Sequence, residues 1–377
     1  MRIVIITAIP FWHPGTMELI QKMRERGFNI TAIDILNGRI LNEDNSITFL
    51  VPRFPFLIAE KVYRKIFRKS WINRYIHSGD IVDMHFVEPS YGKYIVDIKN
   101  KGTKVISTLF GSDLFRTSIE IKKQQSIIFR TSDAIIMSKN MVPYFDTHFP
   151  GLESRIIYNQ YGSLRLDLIA EMDTDQNRHT YRRKYNIEDD RVVVTCGYNG
   201  KKEQQHLALI KAITQLPEAQ KSRLFLIFPV TYGNTEEYDV ILKQEISLIK
   251  IPFLWLDKRM TDKELAETKI ISDITINAQT TDALASSIKE AFAAKNVLLV
   301  GDWLPYETYG ELGIHYHKSS LENFTDELSN IIQSLDAEKA LCETNVQKVL
   351  KFASWNYLIE DWIKLYTELD TRNNGGK

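Results

Sequence analysis

The first 36 residues read MRIVIITAIPFWHPGTMELIQKMRERGFNITAIDIL. Arg2–Thr7 is a short apolar run rich in β-forming residues, and Ala8–Gly15 carries two prolines and a glycine. Thr16–Arg26 has helical periodicity, a glycine follows it, and Phe28–Leu36 has the pattern of a second strand. A strand, a loop, a helix and a strand in this order predict a βαβ unit, and such a unit requires a parallel sheet.

The same alternation continues along the chain and is interrupted once. Further strands are predicted at Ile81–Phe86, Thr103–Thr108 and Ala134–Met137. The polar stretch Asp167–Asp190 has little periodicity and predicts a hinge between two domains. Beyond the hinge, strands are predicted at Val192–Cys196, Leu224–Phe228, Phe253–Leu256, Ile274–Asn277 and Val297–Val300, and helices at Gln204–Gln215, Glu236–Ile249, Asp262–Ile271, Ala283–Lys295 and Leu321–Leu335.

The length of 377 residues exceeds one ordinary α/β core and suits two domains of about 150–200 residues each. We therefore predict an α/β fold with two tandem Rossmann-like domains and a cleft between them. The N-terminal domain is expected over residues 1–168 and the C-terminal domain over residues 169–354. Because open α/β sheets bind ligands beyond the carboxyl ends of their strands, functional residues are expected in the loops that follow strands.

Composition excludes several classes of protein. The 48 basic and 48 acidic residues balance, so no overall field attracts nucleic acid, and no nucleic-acid partner is expected. Two cysteines exclude a disulfide framework and a Cys-rich zinc site and indicate a reducing compartment. The N-terminal apolar run is short for a signal segment, and no run approaches the roughly 18–20 residues of a membrane span. We expect a cytoplasmic protein, or one that lies on the cytosolic face of a membrane.

A basic, glycine-containing loop follows the predicted strand Val192–Cys196. It reads Gly197-Tyr198-Asn199-Gly200-Lys201-Lys202 and leads into a predicted helix that starts near Glu203. The glycines allow a tight turn and close approach of the backbone to a ligand, while the helix N-terminus and the lysines favour an anion. The pattern fits a pyrophosphate site, and an ordinary βα turn with solvated lysines explains it as well.

A second loop, rich in hydroxyl side chains, follows the predicted strand Ile274–Asn277. It reads A-Q-T-T-D-A-L-A-S-S over residues 278–287, and its hydroxyls and amides can hold phosphate oxygens. Glu290 lies two turns after Asp282, so both carboxylates are expected on one face of a helix. A carboxylate there can accept hydrogen bonds from ribose hydroxyls. The alternative is a capped helix with Glu290 on a solvated face.

The run D-A-L-A-S-S-I-K-E-A-F-A-A-K-N-V-L-L-V, which starts at Asp282, resembles the E-x-F-G-x-x-x-x-E signature of GT-B glycosyltransferases. The resemblance is to the retaining family that includes sucrose synthase and phosphatidylinositol mannosyltransferases, with D-A-L-A where that family has E-G-F-G. It implies that Glu290 binds the donor ribose and that Asp282 lies beside the donor sugar. It also implies that residues 355–377 form a helix that crosses back to the N-terminal domain.

Other segments carry the resemblance along the chain. Gly197–Lys202 stands where the family has its phosphate loop, and Ile156–Gly162 resembles the interdomain segment Val-Ile-Pro-Asn-Gly. Val105–Asp113 resembles the N-domain segment Thr-x-His-Gly-x-Asp. A looser resemblance, on Thr147–Pro150 and Val230–Gly233, is to the 4-acetamido-4,6-dideoxygalactose transferase of enterobacterial common antigen.

These features predict a glycosyltransferase of bacterial surface polysaccharide synthesis, which moves a sugar from a nucleotide-diphosphate sugar to a hydroxyl of a glycan or lipid-linked acceptor. Neither a cofactor nor a metal is expected. Catalytic candidates are Asp282 and, as a base in an inverting reaction, His85 or Asp113. A sugar-nucleotide 2-epimerase and a catalytically silent subunit are the alternatives. The expected donor-binding residues are Gly197, Asn199, Gly200, Lys201, Lys202, Tyr232, Gly233, Thr280, Thr281, Ala283, Leu284, Ser286, Ser287 and Glu290.

Two weaker signals are interpreted as structural. Asp173-Thr174-Asp175 matches the metal-binding D-x-D of another glycosyltransferase fold, but it lies in the polar hinge and does not follow a buried strand. His315 and His317, which flank Tyr316, are expected to be structural and not catalytic.

The segment Arg53–Arg74 is basic and aromatic, with seven Lys or Arg residues against Glu60 alone. Tyr63, Ile66, Phe67 and either Ser70 or Trp71 share a face at helical spacing. A basic helix with exposed aromatic residues is typical of an interfacial membrane anchor, so contact with an anionic membrane is expected. The alternative is that the aromatic rings pack on the N-domain core.

Overall fold

The computed structural model describes residues 1–7, 14–282 and 284–371, and the chain divides into two compact units. Unit 1 is Met1–Gly162 with the segment from Leu358 onward, and unit 2 is Ser163–Tyr357. The predicted hinge at Asp167–Asp190 is wrong, because most of this stretch is helical and lies inside unit 2.

Unit 1 is built on a mainly parallel sheet. Its strands are β1 (Arg2–Thr7), β2 (Asn29–Asp34), β3 (Arg39–Leu41), β4 (Ile47–Phe49), β5 (Ile81–His85), β6 (Lys104–Thr108), β7 (Ala134–Met137) and β8 (Ile156–Tyr158). They are arranged in the order β4-β3-β2-β1-β5-β6-β7-β8. The β2–β3 and β3–β4 pairs are antiparallel and form a meander at the edge of the sheet that the sequence patterns did not predict.

The helices of unit 1 connect these strands. They are α1 (Pro14–Glu25), α2 (Leu57–Tyr75), α3 (Ile95–Lys99), α4 (Ser112–Phe115), α5 (Ile119–Thr131) and α6 (Val142–His148). In β1, Ile3 to Thr7 are all buried, as expected for a central strand of a parallel sheet that is covered on both faces.

Unit 2 repeats this plan. Its elements are α7 (Leu164–Met172), α8 (Asp175–Lys184), β9 (Val192–Cys196), α9 (His206–Thr214), α10 (Glu218–Lys221), β10 (Leu224–Pro229), α11 (Glu236–Leu248), β11 (Phe253–Leu256), α12 (Asp262–Ile271), β12 (Ile274–Asn277), α13 (Ser286–Ala293), β13 (Val297–Gly301), α14 (Glu307–Glu311), β14 (His317–Ser319), α15 (Phe324–Gln333) and α16 (Leu335–Ala353). The sheet order is β11-β10-β9-β12-β13-β14, and all five pairs are parallel. The chain therefore enters the sheet at its centre with β9 and adds β10 and β11 towards one edge. It then returns to the centre with β12 and adds β13 and β14 towards the other edge.

The last helix, α17 (Trp355–Thr371), belongs to unit 1 from Leu358 onward. Within unit 1, the Trp362 indole donates a hydrogen bond to the Gln160 carbonyl at 3.0 Å. The Tyr366 hydroxyl donates to the Asp83 carboxylate at 2.7 Å, and both rings are fully buried. These contacts attach the helix to unit 1. Within the described residues, no helix is both long enough and apolar enough to cross a membrane.

Candidate functional site

A pocket of about 290 Å³ lies in unit 2 beside β9 and β10. Residues of α12 and α13 complete its wall, and Arg165 reaches it from α7. The strand order reverses between β9 and β12, and this is the position where open α/β sheets bind ligands. Of the predicted donor-binding residues, Tyr232, Ser286, Ser287 and Glu290 line the pocket. The remaining lining residues are Arg165, Thr195, Tyr198, Ile227, Pro229, Thr231, Met260, Leu265, Thr268, Lys269 and Ala285.

The loops that follow β9, β10 and β12 are joined by hydrogen bonds. The Gly200 N–H donates to the Tyr232 carbonyl at 2.9 Å, and the Thr280 N–H donates to the Glu203 carbonyl at 2.9 Å. These loops meet because their strands are neighbours and end at the same edge of the sheet. Nine other predicted residues belong to these loops and do not line the pocket. They are Gly197, Asn199, Gly200, Lys201, Lys202, Gly233, Thr280, Thr281 and Leu284. Ala283 lies outside the described residues.

The glycines of the first two loops serve contacts between the loops. A Cβ on Gly200 would lie 2.4 Å from the Asn234 Cβ. Gly233 has a φ of +78°, and a Cβ there would lie 2.5 Å from the Lys201 side chain. These glycines thus allow close approach within the protein itself, in addition to the close approach to a ligand that the loop pattern suggested.

The basic end of the first loop differs from the predicted helix start. Lys202 begins a single 3-10 turn, and α9 starts only at His206, after Gln205 in the left-handed conformation. The Lys202 ammonium lies 5.7 Å from the centre of the Tyr238 ring. Burial lowers the pKa of His206 to about 4, so this imidazole is neutral near pH 7. The predicted start of the helix near Glu203 is therefore too early, because the α-helix begins at His206.

Glu290 is the predicted residue that the structure places most deeply in the pocket wall. It is 1% exposed, and its carboxylate lies 2.7 Å from the Arg165 guanidinium. Arg165 also pairs with Asp262 at 3.0 Å. Sequence reasoning missed Arg165, because it lies 125 residues before Glu290 and no local motif marks it. The alternative of a solvated Glu290 is excluded by its burial.

A second cation, Lys269, lies in the same wall. It is 5% exposed and donates to the hydroxyl of Ser287 at 2.7 Å. Burial lowers its pKa, and the nearby Glu290 carboxylate acts in the opposite direction. The charged lining residues are Arg165, Lys269 and Glu290, so the wall carries more positive than negative charge when all three are ionised. Such a wall suits a ligand with phosphate groups.

Asp282 is not where the sequence placed it. The helix α13 begins at Ser286, so Asp282 precedes it and shares no helical face with Glu290. Its carboxylate accepts hydrogen bonds from the Tyr306 hydroxyl and, at 3.3 Å, from the Asn277 amide. Burial and Asp282 together raise the pKa of Tyr306 strongly. Asp282 therefore fixes the loop after β12, and it does not line the pocket.

The D-x-D segment has structural partners, in agreement with its interpretation as structural. Asp173 pairs with Lys295 at 3.2 Å and with Arg178 at 3.6 Å. Asp175 is the first residue of α8, whose N-cap is Thr174.

The two catalytic candidates of unit 1 are buried. His85, at the end of β5, is 0% exposed; its Nδ1 lies 2.8 Å from the Tyr161 hydroxyl and 3.2 Å from the Thr16 hydroxyl. Asp113 is 2% exposed and accepts hydrogen bonds at 2.9 Å from the N–H groups of Val87 and Phe110. Burial raises the pKa of Asp113, and these N–H groups oppose the shift. Asp113 thus joins the loops that follow β5 and β6, whereas His85 contacts Thr16 of α1 and Tyr161.

The fold matches solved glycosyltransferase structures over nearly the whole chain. A glycosyltransferase from Rickettsia africae ESF-5 is 16% identical, with a TM-score of 0.72, over 97% of this chain and 98% of that one. Sucrose-phosphate synthase from Thermosynechococcus elongatus is 10% identical, with a TM-score of 0.70, over 99% and 100%. Anabaena HepE, solved in complex with UDP, is 10% identical, with a TM-score of 0.67, over 98% and 100%. No protein-family model and no curated protein sequence matches the chain.

At these identities the likeness establishes the fold. The chain has the two-domain α/β fold of GT-B glycosyltransferases, with a mainly parallel sheet in unit 1 and a parallel sheet in unit 2. The predicted α/β fold with two Rossmann-like domains and the resemblance to GT-B glycosyltransferases are confirmed.

Proposed function

We propose that the protein is a glycosyltransferase that binds a nucleotide-diphosphate sugar in the pocket of unit 2. The observation that carries the proposal is the buried Glu290–Arg165 pair in a pocket at the strand-order reversal of this fold. HepE, which shares the fold, has been solved with UDP and with UDP-glucose. The acceptor hydroxyl would attack the anomeric carbon of the sugar, the nucleoside diphosphate would leave with the bonding electrons, and the hydroxyl proton would pass to a base or to the leaving diphosphate.

Each part of the pocket wall has a role in this proposal. The Glu290 carboxylate accepts hydrogen bonds from the ribose hydroxyls. Ser286 and Ser287 bring hydroxyls and the N-terminus of α13 to the diphosphate. Arg165 and Lys269 stabilise the charge that develops on the leaving diphosphate, a task that a metal ion performs in other transferases. The donor is a substrate, and the protein needs no cofactor for this chemistry.

A panel of nucleotide sugars tests the proposal. A ligand that binds only the native state raises the melting temperature, so at least one nucleotide diphosphate or its sugar should do so. The sugar nucleotide that raises it most should then be hydrolysed slowly or transferred to an acceptor. The proposal fails if no member of the panel stabilises the protein and none is consumed. Isomerisation of the sugar without any acceptor would instead favour the 2-epimerase.

We further propose that the acceptor is lipid-linked, as in surface polysaccharide synthesis, and that α2 holds the protein on an anionic membrane surface. The apolar residues Ile58, Val62 and Ile66 repeat every four positions and are 75%, 51% and 66% exposed. Lys61 and Lys65 are exposed on the same helix. Exposed apolar side chains flanked by lysines are what a helix at the membrane interface presents.

The structure changes which residues of this segment can contact lipid. Trp71 is 6% exposed and packs in the core of unit 1, so its predicted place on the exposed face is wrong. Arg64 pairs with Glu60 at 3.0 Å, and Arg68 donates to the Leu36 carbonyl at 3.1 Å. The lysines are therefore the better targets for a test.

Liposome sedimentation checks the membrane proposal. Each Lys or Arg near an anionic surface contributes about 1 kcal/mol, so Lys61→Glu with Lys65→Glu should weaken binding at least tenfold. Salt should weaken it too. The matched control is Lys93→Glu with Lys123→Glu, which makes the same charge change at exposed positions elsewhere in unit 1. Equal loss in both double variants, or no binding to anionic vesicles by the unmodified protein, would refute a role for α2.

A further inference from the structure

A histidine–carboxylate cluster lies in unit 2 apart from the pocket. His315 Nε2 is 2.6 Å and His317 Nε2 is 2.8 Å from the same Oε2 atom of Glu338. One ligating atom from each of these three residues lies within 4.8 Å of the other two. None of the three lines the pocket, so the glycosyl-transfer proposal does not account for the cluster.

The fold holds these side chains firmly. His317 is the first residue of β14, and His315 lies two positions earlier, so an extended chain places both on one face. Glu338 lies in the first turn of α16. From the same helix, the Asn345 side chain accepts a hydrogen bond from the His315 N–H at 2.8 Å and donates one to the His315 carbonyl at 2.7 Å. The position of His315 is thereby fixed against α16.

His317 also has a second carboxylate partner. Its Nδ1 lies 2.7 Å from Oε1 of Glu327, while its Nε2 faces Glu338. At these distances each imidazole nitrogen and carboxylate oxygen share a hydrogen bond, and a metal ion at Nε2 would take the place of the one to Glu338. Metal-bound histidines commonly donate their other ring N–H to a carboxylate, which fixes the tautomer and the ring orientation. Glu327 stands in that position.

We propose that His315, His317 and Glu338 form a binding site for a divalent transition-metal ion, with Zn²⁺ as the best-suited ion. Two imidazoles and one carboxylate are a known zinc ligand set that leaves a fourth position for water. The two histidines are 33% and 17% exposed, so water can reach the site. Zinc bonds of about 2.0–2.1 Å in a tetrahedron place the ligand atoms roughly 3.3 Å apart. The contacts of 2.6 and 2.8 Å at Glu338 are shorter than this, so binding of the ion would move the carboxylate oxygen away from the two imidazoles by roughly 0.5–0.7 Å.

The neighbouring residues do not compete for the ion. Cys342, one turn after Glu338, is a buried thiol whose pKa burial and then Glu338 raise to about 12. Lys339 is directed to Asp273, at 2.7 Å. The ion would therefore join β14 to α16, and this role is independent of the donor pocket.

Zinc titration of the protein, after chelator treatment and dialysis, tests the proposal. We expect one Zn²⁺ per chain and a rise in melting temperature. Glu338→Gln and His317→Gln should each weaken binding at least about a hundredfold, and Glu327→Gln, which removes only the hydrogen-bonded carboxylate, about 10–100-fold. His179→Gln is the control, because His179 pairs with Asp189 at the surface and lies outside the cluster.

Melting temperatures without metal show whether each variant is folded. The proposal is overturned if the unmodified protein binds no stoichiometric Zn²⁺, or if Glu338→Gln and Glu327→Gln both bind it as tightly as the control. A loss of binding in His179→Gln equal to that in Glu338→Gln would also overturn it. None of these results depends on glycosyltransferase activity, so they leave the proposed function untouched.

Discussion

Replacing Glu290 by Gln should weaken nucleotide binding without unfolding the protein. Glutamine keeps the volume of the side chain and one acceptor oxygen beside Arg165, but it removes the charge. Alanine is the poorer choice, because it would leave the Arg165 guanidinium without the carboxylate that now lies 2.7 Å away. Arg165 is 29% exposed, so solvent limits the cost of losing the ion pair.

The expected magnitude follows from the hydrogen bonds that the carboxylate would make. A hydrogen bond to a charged group contributes about 1.5–3 kcal/mol, and a neutral one about 0.5–1.5 kcal/mol. Exchanging one for the other costs about 1–2 kcal/mol, which is roughly a five- to thirtyfold increase in Kd. Because two ribose hydroxyls can share the carboxylate, the loss should be smaller for 2′-deoxyuridine diphosphate than for UDP.

Isothermal titration calorimetry with this pair of nucleotides provides the assay. The matched control is Glu267→Gln, which changes an equally buried carboxylate of unit 2 that pairs with Lys184 and does not line the pocket. The control should bind both nucleotides as the unmodified protein does. Unchanged affinity of Glu290→Gln for every nucleotide that binds would refute the ribose assignment. Equal losses in both variants would show a general effect of lost stability.

Three further outcomes are expected. Sugar transfer should persist in EDTA, because the pocket supplies its own positive charge; a complete loss that Mn²⁺ or Mg²⁺ restores would contradict this. Gly200→Ala should lower the free energy of unfolding, measured by urea titration, by about 1–3 kcal/mol, because its Cβ would lie 2.4 Å from Asn234. The control Gly92→Ala, whose Cβ would lie 3.5 Å from the nearest atom, should lower the free energy of unfolding less. Burial lowers the pKa of His206 to about 4, whereas the pKa in the unfolded chain is about 6.5. Between these two pH values the unfolded state binds more protons than the folded state, so the free energy of unfolding falls as the pH is lowered from 6.5 towards 4. The loss between pH 7 and pH 5 should be about 2 kcal/mol smaller in His206→Gln, and an identical pH profile would refute the assignment.

The sequence by itself determined the class of fold and the loops that carry the candidate site. Runs of buried strand residues such as Val192–Cys196 and Ile274–Asn277 have a period and composition that local physics dictates, and the structure has strands with these same bounds. The alternation of such strands with helices predicts parallel sheets, and parallel sheets place the following loops at one edge. Glu290 was found in this way, from its position in a helix after a strand.

Only the tertiary structure decided which side chains meet in the pocket and which are taken up by the protein. Arg165 reaches Glu290 because α7 packs against α12 and α13, a contact between segments that no local period encodes. Asp282 is held by Tyr306, although its spacing predicted a helical face shared with Glu290, and Trp71 is buried in the core, although its local pattern predicted an exposed aromatic face. The exposure of a side chain depends on which other parts of the chain pack against it. These contacts are set by the strand order and the helix packing of the folded protein, and local sequence patterns do not encode them.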